Sequence, residues 1–252
     1  TPTAEPRLPR PAPRKKRWGD RKDGRRVRTA QPMAKMMPFI MKDRADAMNY
    51  FADELDVTET DAFCKQMIAE GYEGFSFLHI MLAAYVRTIS QKPALNRFIS
   101  GQKIYSRGND LQFCMTIKKE MTSDSPESVI KVHLTPYDTA TDIYNKMNKA
   151  VEEVKNTPLD SDFDKTAHAL LMIPGIFLKF TVWLLRLLDY FGLLPGFLLE
   201  VSPFHGSVFF TSMGSLGIPP IYHHLYNFGN LPIFGSFGCK RRALEVQEDG
   251  SV

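Results

Sequence analysis

The sequence has few cysteines, few tryptophans and no long uncharged apolar run. Its 252 residues include three cysteines, Cys64, Cys114 and Cys239, which are odd in number and widely spaced. This pattern argues against a disulfide scaffold and against a zinc site built from paired cysteines, and it is typical of a reducing compartment. We therefore expect a cytoplasmic protein.

The most hydrophobic region, residues 169–199, is interrupted by charges, prolines and glycines. Lys179, Arg186 and Asp189 divide it, so no uncharged stretch reaches the roughly 18–20 residues that a membrane-spanning helix needs. We expect a pair of helices that is buried or faces another subunit. Contact with a membrane surface, aided by the basic N-terminus, is the less favoured alternative.

Basic charge is concentrated at the N-terminus. Residues 1–30 hold eleven Lys or Arg and three Asp or Glu, whereas the remaining residues hold 21 basic and 25 acidic side chains. The folded body is therefore mildly acidic, and we expect no nucleic acid on it. Residues 1–25 are rich in Pro and Arg and have little apolar surface, which predicts a disordered arm. Its role, as a contact for an anionic partner or as a solvated tail, stays open.

The common catalytic and cofactor motifs are absent from the sequence. It contains no GxSxG, no P-loop, no GxGxxG after a strand and no HExxH. No group of His, Cys, Asp or Glu has the spacing of metal ligands, so we expect no metal. Nothing supports a nicotinamide or flavin cofactor.

The periodicity of apolar residues predicts a mixed α/β domain. Apolar residues around most of its circumference predict a central helix over Ser76–Gln91. A second helix, which begins at Asp138 or Thr139, is expected on the surface of a sheet. Its apolar stripe is Ile143, Met147, Ala150, Val151 and Val154.

Four segments have the pattern of strands. Apolar and polar residues alternate in Leu111–Ile117 and Val129–Leu134, which predicts strands with one buried face. Gly206–Ser212 and Ile233–Gly238 are short, apolar and bounded by glycine. Asp249-Gly250 is a hairpin signal, and we expect that the chain stops before the returning strand.

Five segments share a resemblance to one family. They are ELDVTETDAFCKQM, FSFLHIMLAAYVRTISQKPALNRFISGQKIYSR, NDLQFCMTIKKEM, TPYDTATDIYNKMNKAVEEVKN and GSVFFTSMGSLGIPPIYHHLYNFGNLPIFGSFGCKRR. In this order they resemble the catalytic domain of the dihydrolipoyl acyltransferases of 2-oxo-acid dehydrogenase complexes, a domain related to chloramphenicol acetyltransferase. The resemblance covers about residues 25–242 and implies a divergent branch without the lipoyl domain.

The fold implied by this resemblance is a two-layer α/β (α+β) sandwich with a mixed β-sheet. It places an acyltransferase-like domain at 26–252, with a hydrophobic helical insertion at 159–205. The family forms trimers with active sites between subunits, which implies a homotrimer. The implied reaction moves an acyl group between coenzyme A and an acceptor thiol or hydroxyl, and acyl-CoA is the co-substrate. The identities of the acyl donor and acceptor stay open.

The resemblance also implies candidate site residues. Thr211 matches the family serine that donates a hydrogen bond to the oxyanion, Ser212 follows it, and Gly214 and Gly217 shape the adjoining turn. The segment HHLYNFG, with His223 and His224, is similar to the HHxxxDG signature, whose second His is the general base. The candidate catalytic residues are therefore Thr211, His223 and His224.

Two departures from the family leave the function open. Phe228 stands where the signature has Asp, and by the register of the resemblance the histidine pair lies in an earlier loop, with the expected base beyond Val252. One hypothesis is a coenzyme A-dependent acyltransferase that uses His224 or a later histidine. The alternative is a catalytically inactive relative that acts as a scaffold or binds a ligand.

Overall fold

The computed structural model describes residues 15–41, 43–118, 127–156, 172 and 174–243. The strands are β1 (Arg25–Arg26), β2 (Arg97–Ser100), β3 (Lys103–Ser106), β4 (Leu111–Lys118), β5 (Glu127–Leu134), β6 (Val208–Ser212) and β7 (Ile233–Phe237). The helices are α1 (Pro32–Ile40), α2 (Thr58–Ala69), α3 (Phe77–Gln91), α4 (Ala140–Asn156), α5 (Gly175–Phe191) and α6 (Gly196–Val201). The hairpin signal at Asp249-Gly250 lies outside the described residues.

The main sheet is mixed, as the family resemblance implies. Its strand order is β5-β4-β6-β7, in which β4 and β5 are antiparallel while β6 runs parallel to both β4 and β7. Parallel neighbours need long crossover connections, and the chain between β5 and β6 supplies one that contains α4, α5 and α6. A smaller antiparallel sheet has the order β1-β3-β2.

Helices α3 and α4 cover one face of the main sheet and complete a two-layer α/β fold. The buried core between these layers consists of Leu82, Val86, Ile89, Leu111, Phe113, Ile130, Val132, Leu134, Ile143, Met147 and Val208. The predicted central helix, the stripe of α4 and the inward face of β5 are all in this cluster or packed against it. Thr139 begins α4, because its hydroxyl accepts the Asp142 N–H while its own N–H donates to the Asp142 carboxylate.

Strand β4 differs from the prediction of one buried face. Gln112 and Cys114, on the face opposite the core, are also buried. The chain after α6 covers them: a Cβ at Gly206 would lie 3.0 Å from the Cys114 Sγ, and Ser207 N–H donates to the Gln112 carbonyl. The second face of the sheet is therefore closed over the first half of β4.

The hydrophobic region 169–199 forms helices where the structure describes it. Helix α5 ends at Gly192, whose φ of +72° is left-handed and whose N–H donates to the Asp189 carbonyl at 2.9 Å. Among the described residues, no helix is both long enough and apolar enough to cross a membrane. Residues 157–171 and 173, which include the first part of the predicted insertion at 159–205, lie outside the described residues.

Part of the predicted N-terminal arm belongs to the folded body. Residues 15–25 are described, and Arg21 is only 4% exposed. Its guanidinium donates to Asp23, Ser100 and Asp189, and these bonds offset the cost of burying a charge. Residues 1–14 lie outside the described part of the chain.

Candidate functional site

Thr211 and Ser212 lie at the C-terminal end of β6, beside β7. In the parallel ladder Thr211 pairs with Ser236, and Ser212 pairs with Phe237. Val208 and Phe210 point into the core, so the period of two places Thr211 on the opposite face with Phe209. The Thr211 side chain is half-buried. Thr211 is therefore on the outer face of the sheet and partly exposed there.

The glycines after β6 form the turn that the resemblance implies. Residues Gly214–Leu216 make one turn of 3-10 helix, which ends at Gly217 with a left-handed φ of +71°. A Cβ on Gly214 would lie 2.9 Å from the Gly238 carbonyl oxygen. Glycine is thus required at both positions for reasons of backbone geometry, independent of any ligand.

The histidine pair lies on the same outer face as Thr211. The His223 ring stacks on Phe234, with centroids 4.1 Å apart, and on His224 at 4.7 Å. Phe234 pairs with Phe209, two residues before Thr211. His223 therefore lies over β7, beside the strand that carries Thr211 and on the same face of the sheet. The sequence spacing does not reveal this arrangement.

A hydrogen bond sets the tautomer of neutral His223. Its Nδ1 lies 2.7 Å from the His224 carbonyl oxygen. Because a carbonyl oxygen only accepts, Nδ1 carries the proton and Nε2 is left with its lone pair. In this tautomer Nε2 is the proton-accepting nitrogen of the His223 ring.

Phe228, at the position of the signature Asp, has an apolar role. Its ring packs edge-on against Phe204 and His205, with centroids 5.7 Å apart in each case. In the part of the chain that the structure describes, neither histidine of the pair contacts a carboxylate. The pair therefore lacks the acidic partner that orients a histidine base and stabilises its cation.

A different histidine, His133 on β5, has two carboxylate partners. Its Nδ1 is 2.7 Å from Asp110 and its Nε2 is 2.8 Å from Glu200. The hydrogen bond to Asp110 is the largest cause that raises the pKa of His133 to about 9, and Glu200 adds to it. His133 is thus a cation at neutral pH and cannot serve as a general base there.

His133 should contribute stability that depends on pH. Its pKa rises from 6.5 to about 9 on folding, so its contribution is complete below about pH 6.5 and is lost as the pH rises through about 9. The side chain is 44% exposed, so solvent screening limits the effect to less than about 1 kcal/mol. We expect His133→Gln to destabilise the chain to urea at about pH 6 and not at about pH 10. A His133 titration midpoint near 6.5, measured by NMR, would contradict this assignment.

A buried ionic cluster joins the N-terminal segment to α5 and the chain before β7. Arg21 donates to Asp23 and Asp189, and Arg107 donates to Asn230 at 2.5 Å. Asn230 in turn donates to the Asp23 carboxylate at 2.7 Å. Burial would raise the pKa of Asp23, but the charge of Arg21 and its hydrogen bonds hold that pKa below its usual range.

Sequence reasoning misses this cluster. Asp189 is interpreted there only as an interruption of an apolar run, although a charged residue within a hydrophobic helix is itself a signal of a buried partner. Nothing in the sequence indicates Arg21 as that partner, because the two residues are 168 positions apart.

One serine, histidine and aspartate are brought together beside the cluster. His205 Nδ1 is 2.8 Å from the Ser202 hydroxyl, and its Nε2 is 3.5 Å from Asp189. The set resembles a nucleophile with its base and acid. However, His205 is only 1% exposed and Asp189 is held by Arg21. The arrangement is closed to substrate and positions the chain after α6.

Two further nucleophilic groups, Cys114 and Lys131, lie on the outer face of the sheet. Burial raises the pKa of the Cys114 thiol to about 11, which keeps it protonated and unreactive at neutral pH. Burial lowers the pKa of Lys131, whose ammonium donates to the Leu199 carbonyl at 2.5 Å. Within the described residues, no three His, Cys, Asp or Glu side chains are grouped as metal ligands.

Comparison with known proteins gives a distant likeness of fold. No family model matches the chain, and no curated protein sequence matches it. Among solved structures, it is similar to a probable dihydrolipoamide acetyltransferase from Listeria monocytogenes 4b F2365, with 12% identity, a TM-score of 0.41 and coverage of 80% of each chain. This is a distant likeness of fold and does not assign the chain to a family.

Proposed function

We propose that this chain is an acyltransferase-like domain that works as a binding or scaffold protein and performs no acyl transfer with its own residues. The observation that best supports this proposal is that the histidine with carboxylate partners is not one of the histidines beside Thr211. His133 has two carboxylate partners and is a cation, whereas His223 and His224 have Phe228 at the acid position. A carboxylate partner stabilises the cation that a histidine base forms, and replacing such a partner can cost about 10⁴-fold in rate.

Acyl transfer from coenzyme A is the second candidate function, and one observation favours it. In the neutral tautomer set by its Nδ1 hydrogen bond, His223 carries a lone pair on Nε2, and it shares a sheet face with Thr211. In such a reaction His223 would take a proton from the attacking thiol or hydroxyl. Thr211 would donate a hydrogen bond to the tetrahedral oxyanion, a contact that is typically worth about 10²–10³ in rate.

Thiol release from acetyl-CoA distinguishes the two candidates. We expect the purified chain, with an added small thiol acceptor, to release coenzyme A no faster than the same mixture without protein. Binding of acetyl-CoA, measured by calorimetry, is compatible with a ligand-binding protein. Release above background that falls at least about tenfold in Thr211→Val would establish the acyltransferase instead. Ser236→Ala, on the strand beside Thr211, is the matched control variant.

A further inference from the structure

Helix α5 exposes an unusually apolar outer face. At 100° per residue, its residues Ile176, Phe177, Phe180, Trp183, Leu184, Leu187 and Phe191 lie along one side of the helix, and all are exposed. Phe177 is 61% exposed, Phe180 57% and Trp183 54%. The opposite side, with Leu185, Leu188 and the buried Asp189, faces the body. Contiguous exposed apolar patches of this kind mark interaction surfaces.

Helix α1 also exposes several apolar side chains. Met33, Met36, Phe39 and Ile40 are each more than half exposed. Both helices lie against the hairpin of β2 and β3: α1 contacts β3, and the Tyr190 hydroxyl at the end of α5 donates to Gln102 at 2.7 Å. The two exposed helices therefore flank one small sheet.

The exposed charges on these two helices are basic. Lys179 and Arg186 lie along one edge of the outer face of α5, and Lys35 is exposed on α1. Helix α1 has no carboxylate, and the single carboxylate of α5, Asp189, is buried. An apolar face edged by Lys and Arg with no exposed acid is complementary to an anionic partner.

Residues 15–18, a basic and aromatic segment, shortly precede a residue that contacts the C-terminal end of α5. Lys15, Lys16 and Arg17 are exposed, and Trp18 after them is 93% exposed. Three residues later, Arg21 is bonded to Asp189 in the last turn of α5. This contact ties the segment to the last turn of the helix, three residues beyond Trp18.

We propose that the outer face of α5, together with residues 15–18, docks on the surface of an anionic lipid bilayer. The helix lies in the interface, with its aromatic side chains among the acyl chains and its Lys and Arg at the headgroups. Basic side chains near such a surface add attraction that salt screens. A second copy of the chain is the poorer occupant, since neither exposed helix offers carboxylates for the basic edge. This inference holds whether or not the chain is a catalyst.

Tryptophan fluorescence tests the docking directly, because the chain has two tryptophans and both are on the proposed surface. We expect vesicles of phosphatidylcholine with phosphatidylglycerol to shift the emission of the full chain to shorter wavelength. Added salt should weaken the effect. Trp18→Phe and Trp183→Phe variants each retain one indole and should both show the shift.

A matched pair of variants tests whether the outer face of α5 is the part of the chain that binds the vesicles. Phe177→Ser/Phe180→Ser keeps both indoles and should lose about tenfold or more in vesicle affinity, while Phe51→Ser, which removes an 89% exposed ring outside the surface, should not. Thermal unfolding without lipid should be the same for both variants. The proposal is wrong if anionic vesicles cause no shift or if Phe177→Ser/Phe180→Ser binds as well as the parent chain. It is also wrong if the shift follows protein concentration without lipid, which would assign the face to self-association.

Discussion

Replacing Arg21 with alanine should lower the free energy of unfolding by about 3–5 kcal/mol, the usual cost of removing one partner from a buried ion pair. Arg21 is 4% exposed and donates to Asp23 and Asp189, whose side chains are 5% and 9% exposed. Without the guanidinium, both carboxylates would remain buried with fewer compensating contacts. Urea unfolding measures the loss.

The pH dependence separates this electrostatic loss from a packing loss. Burial alone would raise the pKa of Asp23 and of Asp189, but their partners lower both values, with Arg21 contributing to each. When folding lowers the pKa of a carboxyl group, the ionised group stabilises the fold at pH values above its unfolded pKa of 3.8. This contribution is lost as the pH falls through the lowered pKa of the folded state. The difference between Arg21→Ala and the parent should therefore shrink in acid.

Lys22→Ala is the matched control for Arg21→Ala. Lys22 is the exposed neighbour of Arg21, and its removal should change the unfolding free energy by less than about 0.5 kcal/mol. If Arg21→Ala is equally harmless at neutral pH, the buried cluster does not hold the N-terminal segment to α5.

Alanine at Gly101 should cost about 2–4 kcal/mol and loosen α5. Gly101 has a left-handed φ of +54°, and a Cβ there would overlap the Tyr190 carbonyl oxygen. The new methyl group meets backbone, which cannot rotate away, so the hairpin of β2 and β3 must separate from the end of α5. Backbone strain and overpacking each contribute on the order of 1–3 kcal/mol.

The Gly74→Ala variant separates the cost of backbone strain from the cost of steric overlap. Gly74 has a φ of +75°, and a Cβ there would meet nothing within 4 Å. We expect a loss of about 1 kcal/mol from backbone strain alone. Limited proteolysis should cut α5 faster in Gly101→Ala than in Gly74→Ala. Equal stability and equal cleavage in the two variants would show that α5 does not pack on the hairpin as described.

The elements that the sequence predicts well are those whose signal is local. The stripe of α4 and the alternation of β5 each follow from residues a few positions apart, and their buried side chains are Ile143, Met147, Ile130, Val132 and Leu134. One face of β4 is also predicted correctly. Gln112 on its other face is buried by Ser207, a residue 95 positions away, and no periodicity within β4 reports that cover.

The candidate site is less predictable because its contacts are distant in sequence. The resemblance implies a hydroxyl at Thr211 and a turn at Gly217, and the structure places Thr211 near the end of β6 and the turn directly after that strand. That His223 stacks over Phe234 on the face of Thr211 depends on the parallel pairing of β6 with β7. That His133 meets Glu200, 67 residues away, depends on the packing of α6.

The proposed function holds that, among the described residues, neither His223 nor His224 is a working general base. Its most direct test is the rate of free-thiol release from acetyl-CoA by the purified chain, compared with His223→Gln/His224→Gln at about pH 8, where a neutral histidine would be active. We predict that both proteins match the background without protein. Release by the parent chain that the double variant loses would contradict the claim and establish His223 and His224 as catalytic residues.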